Sequence, residues 1–573
     1  MKKTKLFTLI FLLATVSLTA QNPLIIPDTL SGTEFNLNLQ NGTFQFYSGT
    51  NTTTMGVNGD ILGPTLIMNQ GDFVDIMVDN QLADTTTIHW HGMHVSAAND
   101  GGPHTIILPG DTWNPKFTVM DKAGTYWYHP HLHMQTNKHV SLGIAGFIIV
   151  RDDEEAALDL PRTYGVDDFP LAIQTKDFDD QKQIVVPSNS DDVLMVNATI
   201  DPALDVPAQV VRFRLLNGSS QRVFNIGLSG NSTFYQIGSD GGLLSEPLAL
   251  TRLQLAPGER AEILIDFDGM EGQSVQLMSY AAELADGIYG AKYPGIMQFM
   301  VLNGYDPNPL NGSNFDIITF NIGAQTGNPV TNIPASLVEV TPYPEESADI
   351  TRTLTFSPEF MGPDQLNGRF FINGLTFDME VINFTIPLNN TEIWSITNQS
   401  AIAHPFHIHD VQFFVLDRNG VPPPASEQGR KDVILVNAQE TVRFITKFED
   451  FANDPVPYMM HCHMLVHEDD GMMLSFEVVD TTTGIDDFNA GDDVFVLFPN
   501  PITDGSFTVE KSNGSTGITS YELYSLTGNR ILQKTVSDQN PEIKINVSDI
   551  PSGLYFLKVY AGKAIHTRKV VIN

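Results

Sequence analysis

An internal disulfide is excluded from this chain, because its 573 residues contain one cysteine, Cys462. Positive charge is scarce as well: 31 Lys and Arg against 67 Asp and Glu leave a formal charge of −36. That balance excludes nucleic acid as a partner, since phosphate backbones are met by Lys and Arg. Acidity of this degree favours solubility and carries no information about fold. Beyond the first 20 residues there is no long apolar run, and so no transmembrane segment in the mature chain. Long stretches of 3.6-residue periodicity are scarce too. What remains is a globular composition, with 42% apolar residues and a mean hydropathy of −0.07. The length suits about four domains.

The N-terminus reads as a targeting segment. Lys2, Lys3 and Lys5 precede a short apolar stretch, Leu6 to Leu18, and Ala20 provides a small residue before a cleavage point at Gln21. Residues 1–20 are therefore expected to be a signal peptide; a short membrane anchor is the alternative. Export would place the lone thiol in an oxidising compartment, where it needs a role.

The body is expected to be β-rich. Apolar residues alternate in short runs such as Phe73 to Val78, punctuated by Gly, Pro, Asn and Asp. A weak repeat divides it. Asn80, Asn217 and Asn398 each end an apolar strand and begin a polar turn. Three segments, from Gly143, Gly295 and Gly471, read as closing strands. They give β-domains at 22–152, 160–305 and 310–482, a polar linker at 481–493 and a smaller β-unit at 494–573.

Histidine is placed non-randomly. Fifteen histidines scattered by chance would give about 0.4 His-x-His pairs; the chain has five, at 89/91, 129/131, 131/133, 407/409 and 461/463. Residues i and i+2 of a strand share a face, so each pair can offer two imidazoles to one metal cluster. His89 lies nine residues after Asn80 and His407 nine after Asn398, whereas the middle repeat has Ile226 there. A metal cluster between the first and third domains is implied. If His461 and His463 share one face, Cys462 points to the other. With His404, His467 at Cys+5 and Met472 at Cys+10, it makes the His₂Cys set with a weak axial Met of a blue-copper site.

Four motifs carry a family resemblance: HWHG at 89–92, HPH at 129–131 within WYHPH, HPFHIH at 404–409 and HCHMLVHEDDGM at 461–472. Together with the middle-domain stretch from Gly238 to Phe267, they make the chain similar to three-domain multicopper oxidases of the laccase and copper-efflux-oxidase type. The resemblance implies an all-β fold of three cupredoxin-like Greek-key β-barrels, with a small β-sandwich after them. It implies four coppers: a type 1 ion on His404, Cys462, His467 and Met472; a type 2 ion on His89 and His407; and a type 3 pair on His91, His129 and His463 and on His131, His409 and His461. It also implies that Asp100 and Glu468 supply protons to the oxygen site. Lys431 and Asp432 would border the substrate side of the type 1 copper. His133 extends the HPH run, but the family pattern stops at His131; His94, His104 and His139 are expected at the surface or behind the ligands, and His566 apart from them. Met459, Met460, Met464 and Met473 are read as core filling.

The implied activity is one-electron oxidation of phenolic or similar reductants coupled to four-electron reduction of O₂ to water. Alternatives are a metallo-oxidase of Cu(I), Fe(II) or Mn(II) and a non-catalytic copper-binding or scaffold protein. Lacking a long Met-rich insertion, the surface over His404 and His467 is expected to be an open pocket suited to aromatic reductants. Residues 494–573, with FPNP at 498–501 and SGLYFLKV at 552–559, resemble the C-terminal sorting domain of type IX secretion; a small binding module is the alternative. The export machinery is then a partner, and the destination is the medium or cell surface of a Gram-negative bacterium, reached via the periplasm.

Overall fold

The computed structural model describes residues 21–573 except 189, 297, 299–301, 304, 306–307, 361–365, 367, 481–494, 512–517, 526–528, 537–541 and 562–563. The signal segment and the linker expected from the sequence lie outside the described residues. The chain forms two compact units, Met1–Val479 and Asp480–Asn573. No described helix is long and apolar enough to cross a membrane.

The first unit is three β-barrels, each of two sheets. Alternation builds them. In Phe73–Asn80, Val74, Ile76, Val78 and Asn80 point inward, while Phe73 and Met77 are exposed. Each barrel closes in the same way. Gly146–Arg151 runs antiparallel to Gly124–His129 and parallel to Thr65–Asn69. Met473–Val479 runs antiparallel to Tyr458–Cys462 and parallel to Phe384–Pro387. Such mixed pairing requires a long crossover connection.

The middle barrel closes with Asn314–Gly323, antiparallel to Ser274–Tyr280 and parallel to Pro202–Pro207. Of the segment from Gly295 expected to close it, residues 297 and 299–301 lie outside the described residues; Gly295 and Ile296 lie in a bend and Gln298 in a turn. Nearby Leu302 and Tyr305 are buried in the third domain's core instead of alternating across a sheet. The middle barrel thus extends past the boundary read at 305.

The repeated asparagines are structural brackets. The side-chain oxygens of Asn80, Asn217 and Asn398 accept from the backbone N–H two residues on, at 2.9–3.0 Å. Their amides donate across the turn to Asp84, Arg222 and Ile402 carbonyls, and also to Ile107, Leu255 and Val436 carbonyls on other segments. All three are fully buried, so every donor and acceptor must be matched in this way. The second unit has a three-stranded and a four-stranded sheet around Phe507, Leu523, Leu557 and Val570.

Candidate metal centre

Two strand pairs bring the histidines together. In the first barrel His89–His91 lies beside Gly124–His129, with His89 opposite His129. In the third, His404–Ile408 lies beside Tyr458–Cys462, with His407 opposite His461. The two barrels meet through stacked imidazoles: His89 on His409 with centroids 3.9 Å apart, and His91 on His407 at 3.8 Å.

Ring nitrogens converge in two triples. His131 Nε2 is 3.0 Å from His461 Nε2 and 3.1 Å from His409 Nε2, and the last two are 3.4 Å apart. His91 Nδ1 is 3.3 Å from His129 Nε2 and 3.2 Å from His463 Nε2. Imidazole nitrogens about 2.0 Å from one tetrahedral ion would be about 3.3 Å apart. Between the triples, His89 Nε2 and His407 Nε2 are fully buried and have no hydrogen-bond partner. An unmatched buried nitrogen costs about 1–3 kcal/mol, so its retention marks a place for a cation.

The backbone fixes which nitrogen is free. The Nδ1–H of His89 donates to the Asp100 carbonyl at 3.0 Å, of His407 to Asp432 at 2.8 Å, of His129 to Pro130 at 2.8 Å and of His461 to Cys462 at 3.1 Å. A ring nitrogen so engaged leaves Nε2 as the lone-pair donor. Burial and then neighbouring imidazoles hold His91, His129, His131, His407 and His461 well below the usual histidine range. Burial first, then His89, brings His409 to about 4, and burial brings His463 to about 3. Neutral imidazoles are the form a metal requires.

Cys462 points away into the third barrel's core. Its Sγ lies 3.6 Å from His404 Nδ1 and 3.6 Å from His467 Nδ1. That is the separation of a thiolate and an imidazole at about 2.3 and 2.0 Å from one ion. Met472 is buried in the same core; its N–H donates to the His467 carbonyl and its carbonyl accepts from Cys462 N–H. Burial pushes the Cys462 thiol up, and a coordinated cation would deprotonate it outright.

Both carboxylates expected at the oxygen site reach the cluster. Asp100 Oδ2 accepts from His409 Nδ1 at 2.7 Å, with Oδ1 3.3 Å from His89 Nδ1. Burial raises its carboxyl, but His89 and His409 outweigh that and hold it below the usual range. Glu468 lies 3.3 Å from His131 Nδ1 and 3.4 Å from His461 Nδ1. Burial, and then Asp469, lifts its carboxyl well above the ordinary value.

Two expectations are corrected. Asp432 does not border the type 1 side. It is buried at the histidine cluster, against His91 and His407, because Arg260 of the middle barrel draws it inward. Nor do the rings of His404 and His467 themselves face an opening. Both rings are fully buried; His404 Nε2 is 3.0 Å from Ser400 Oγ, and His467 Nε2 donates to the Leu366 carbonyl at 2.8 Å.

The remaining histidines stand apart from the triples. His139 is a core residue bonded to Thr86 Oγ1, and His94 is paired with Asp410 and Asp450. His104 donates to the Met379 carbonyl, and His133 packs on Phe377. His566 lies in a strand of the second unit. Met459, Met460, Met464 and Met473 are all buried. Arg260 and Gly258 were missed by sequence reasoning. A Cβ on Gly258 would stand 3.0 Å from the His463 ring, and no local spacing announces that contact.

Residues 38–155 and 339–482 match sequence profiles of multicopper oxidases, and 496–573 match a secretion system C-terminal sorting domain. The chain is 32% identical over 474 residues to a multicopper oxidase of Staphylococcus haemolyticus, covering 80% of this chain and 93% of that one. It is 31% identical to the cell division protein FtsP of Sodalis glossinidius, covering 81% and 94%. Among solved structures it is similar to a laccase-like multi-copper oxidase of Ochrobactrum with activity towards lignin model compounds and lignosulfonate. That match has 33% identity, a TM-score of 0.70 and coverage of 80% and 100%.

Proposed function

This chain belongs to the multicopper oxidase family, and on that footing we propose that it is an exported oxidase passing electrons singly from small reductants to O₂. The observation that carries this reading is the pair of buried, unpartnered nitrogens, His89 Nε2 and His407 Nε2, set between two triples of converging imidazoles. His404, Cys462, His467 and Met472 would hold a type 1 copper, and His89 with His407 a type 2 copper. His91, His129 and His463, and His131, His409 and His461, would hold a type 3 pair. The coppers would supply one-electron acceptance at the cysteine and O₂ binding at the histidine cluster.

The chain's own residues supply the rest. Cys462 is covalently continuous with His461 and His463, so a few bonds join the two sites. Asp100 fixes His89 through its carbonyl and His409 through its carboxylate. Glu468, whose carboxyl burial lifts well above its ordinary value, is placed to release a proton beside His131 and His461. Packing keeps bulk water from the cluster, since each of its histidines is no more than 1% exposed.

The similarity to a protein named for cell division raises the non-catalytic reading. Against it, the chain keeps all ten histidines, Cys462 and Met472 that the resemblance to copper oxidases calls for. The deciding experiment is steady-state O₂ consumption by the copper-loaded protein with a panel of phenols and with Cu(I), Fe(II) and Mn(II). Turnover with phenols supports the laccase-like reading, turnover with the metal ions alone supports a metallo-oxidase, and none with either supports a scaffold. The sorting domain supports delivery by the type IX route through a Gram-negative periplasm.

A further inference from the structure

His91 is inverted relative to the rest of the cluster, and we infer that Asp432 is the positioning residue that sets this inversion. The inference rests on the copper reading above. His89, His129, His131, His407, His409, His461 and His463 all present Nε2 to the centre. His91 presents Nδ1, and its Nε2–H donates to Asp432 Oδ1 at 3.1 Å. A neutral imidazole carries one N–H. Held on a carboxylate, that proton stays on Nε2, and the lone pair stays on Nδ1, facing His129 and His463. Without the acceptor, neither the tautomer nor the ring orientation is fixed.

The same residue sets a second ligand. The Asp432 carbonyl accepts from His407 Nδ1 at 2.8 Å, aiming His407 Nε2 at the opening between the triples. Asp432 therefore acts on the third barrel's own histidine through its main chain and on the first barrel's through its side chain.

Asp432 is in turn held by the middle barrel, which contributes no histidine. Arg260 Nη1 and Nη2 donate to its two oxygens at 2.6 Å each, a bidentate pair with both side chains buried. Arg260 is fixed by Asp240, which accepts from its N–H at 2.7 Å and, through its carbonyl, from Nη2 at 2.9 Å. Gly92 of the HWHG motif completes the arrangement. Its φ is +85°, and a Cβ there would stand 2.4 Å from both Arg260 Nη2 and Asp432 Oδ2. The glycine leaves the room in which the pair sits. Three barrels thus meet at one carboxylate.

The test uses the full chain loaded with copper. Asp432→Ala removes the acceptor; Asp432→Asn keeps a carbonyl oxygen that can accept from His91. Copper retention at the cluster is read by competition with a chelator, and the blue absorption of the cysteine site serves as an internal control. In Asp432→Ala the cluster should hold copper about 10–100-fold less tightly, as loss of a partner behind a metal ligand typically costs, with the blue band unchanged. Asp432→Asn should recover most of the loss. A crystal structure of copper-loaded Asp432→Ala should show the His91 ring turned to present Nε2.

Wild-type retention in Asp432→Ala with His91 unturned overturns the inference alone. A wild type that takes up no copper at the cluster overturns the reading beneath it. If both variants lose stability and all coppers together, Asp432 is structural and the inference falls. Should Asp432→Ala not fold, Arg260→Gln, which loosens the carboxylate without removing it, must weaken the cluster selectively, or the inference is withdrawn.

Discussion

Cys462 is proposed as a copper ligand because its sulfur lies 3.6 Å from a nitrogen of each of two imidazoles inside a core that would otherwise receive an apolar residue. Cys462→Ser should abolish the blue colour and turnover and leave three of four coppers per chain, as metal analysis beside the absorption spectrum would show. Glu468→Gln keeps the shape and loses the acid. It should slow O₂ reduction while anaerobic reduction of the cysteine site stays fast, and stopped-flow measurement of the two half-reactions separates these. Gly258 is set by contact: with φ at +86° and the His463 ring 3.0 Å from a would-be Cβ, alanine there is strained on both counts. Gly258→Ala should cost about 1–3 kcal/mol, the usual price of left-handed backbone in a non-glycine residue. It should also shed cluster copper before the blue site, as read by calorimetry and metal analysis. The imidazoles of this centre were legible residue by residue, since a two-residue spacing on a strand is itself a geometric statement.

At the scale of elements, short turns and helices carry the load that keeps the strands in register. Asn217 brackets the middle barrel with bonds of 2.7 and 2.9 Å to the Arg222 and Leu255 carbonyls, plus one from Ser219 N–H. Asn217→Ala orphans these three groups and should lower stability by about 3 kcal/mol or more, at roughly 1–3 per unmatched group, measured as a fall in Tm. The helix Leu465–Asp469 is tied to the helix Thr136–Leu142 by Asp469, whose carboxylate accepts from Thr136 and Asn137 N–H at 2.9 and 3.0 Å. Opposite that joint, Lys176 at the end of Asp168–Lys176 is buried and donates to the Ser141 carbonyl at 2.7 Å. Burial lowers it from 10.5 to about 7. The unfolded chain therefore binds more protons than the folded one between about pH 7 and 10.5, and this lysine destabilises the fold most below pH 7. The gain in Tm from Lys176→Met should be largest below pH 7 and shrink as pH rises towards 10.5. A gain independent of pH would show that Lys176 is not desolvated.

For the whole molecule, the histidine centre and the sorting domain lie in separate compact units. None of the proposed ligands lies beyond Val479, so deleting residues 494–573 should leave copper binding and oxidase activity intact. In the native host the same deletion should trap the protein in the periplasm, which fractionation and immunoblotting would detect. Normal delivery of the shortened chain would remove the sorting role. The barrels of the first unit are joined by buried charge despite the acidic surface. Arg212 and Arg214 of the middle barrel are paired with Glu155, Asp168 and Glu262, and Arg214 also reaches Thr125 of the first barrel. Breaking one partner of such a buried network leaves a charge uncompensated.

The sequence by itself determined the β-architecture, the threefold repeat and the grouping of histidines, because alternation and i, i+2 spacing are local properties that survive in any strand. His89 and His407 could be matched through Asn80 and Asn398 because the bracket and the strand after it are contiguous in the chain. Tertiary structure alone decided the rest. Asp432 and Arg260 are 172 residues apart, and nothing near either announces the other. Leu366 closes over His467 by a backbone carbonyl, a group every residue has and no motif can mark. The middle barrel's closing strand is Asn314–Gly323, beyond the apolar run from Gly295, because apolar residues can alternate across a sheet or fill a neighbour's core. Only the packing of Leu302 and Tyr305 into the third barrel distinguishes the two. Contacts that link distant segments leave no period in the sequence, and it is those contacts that orient the ligands.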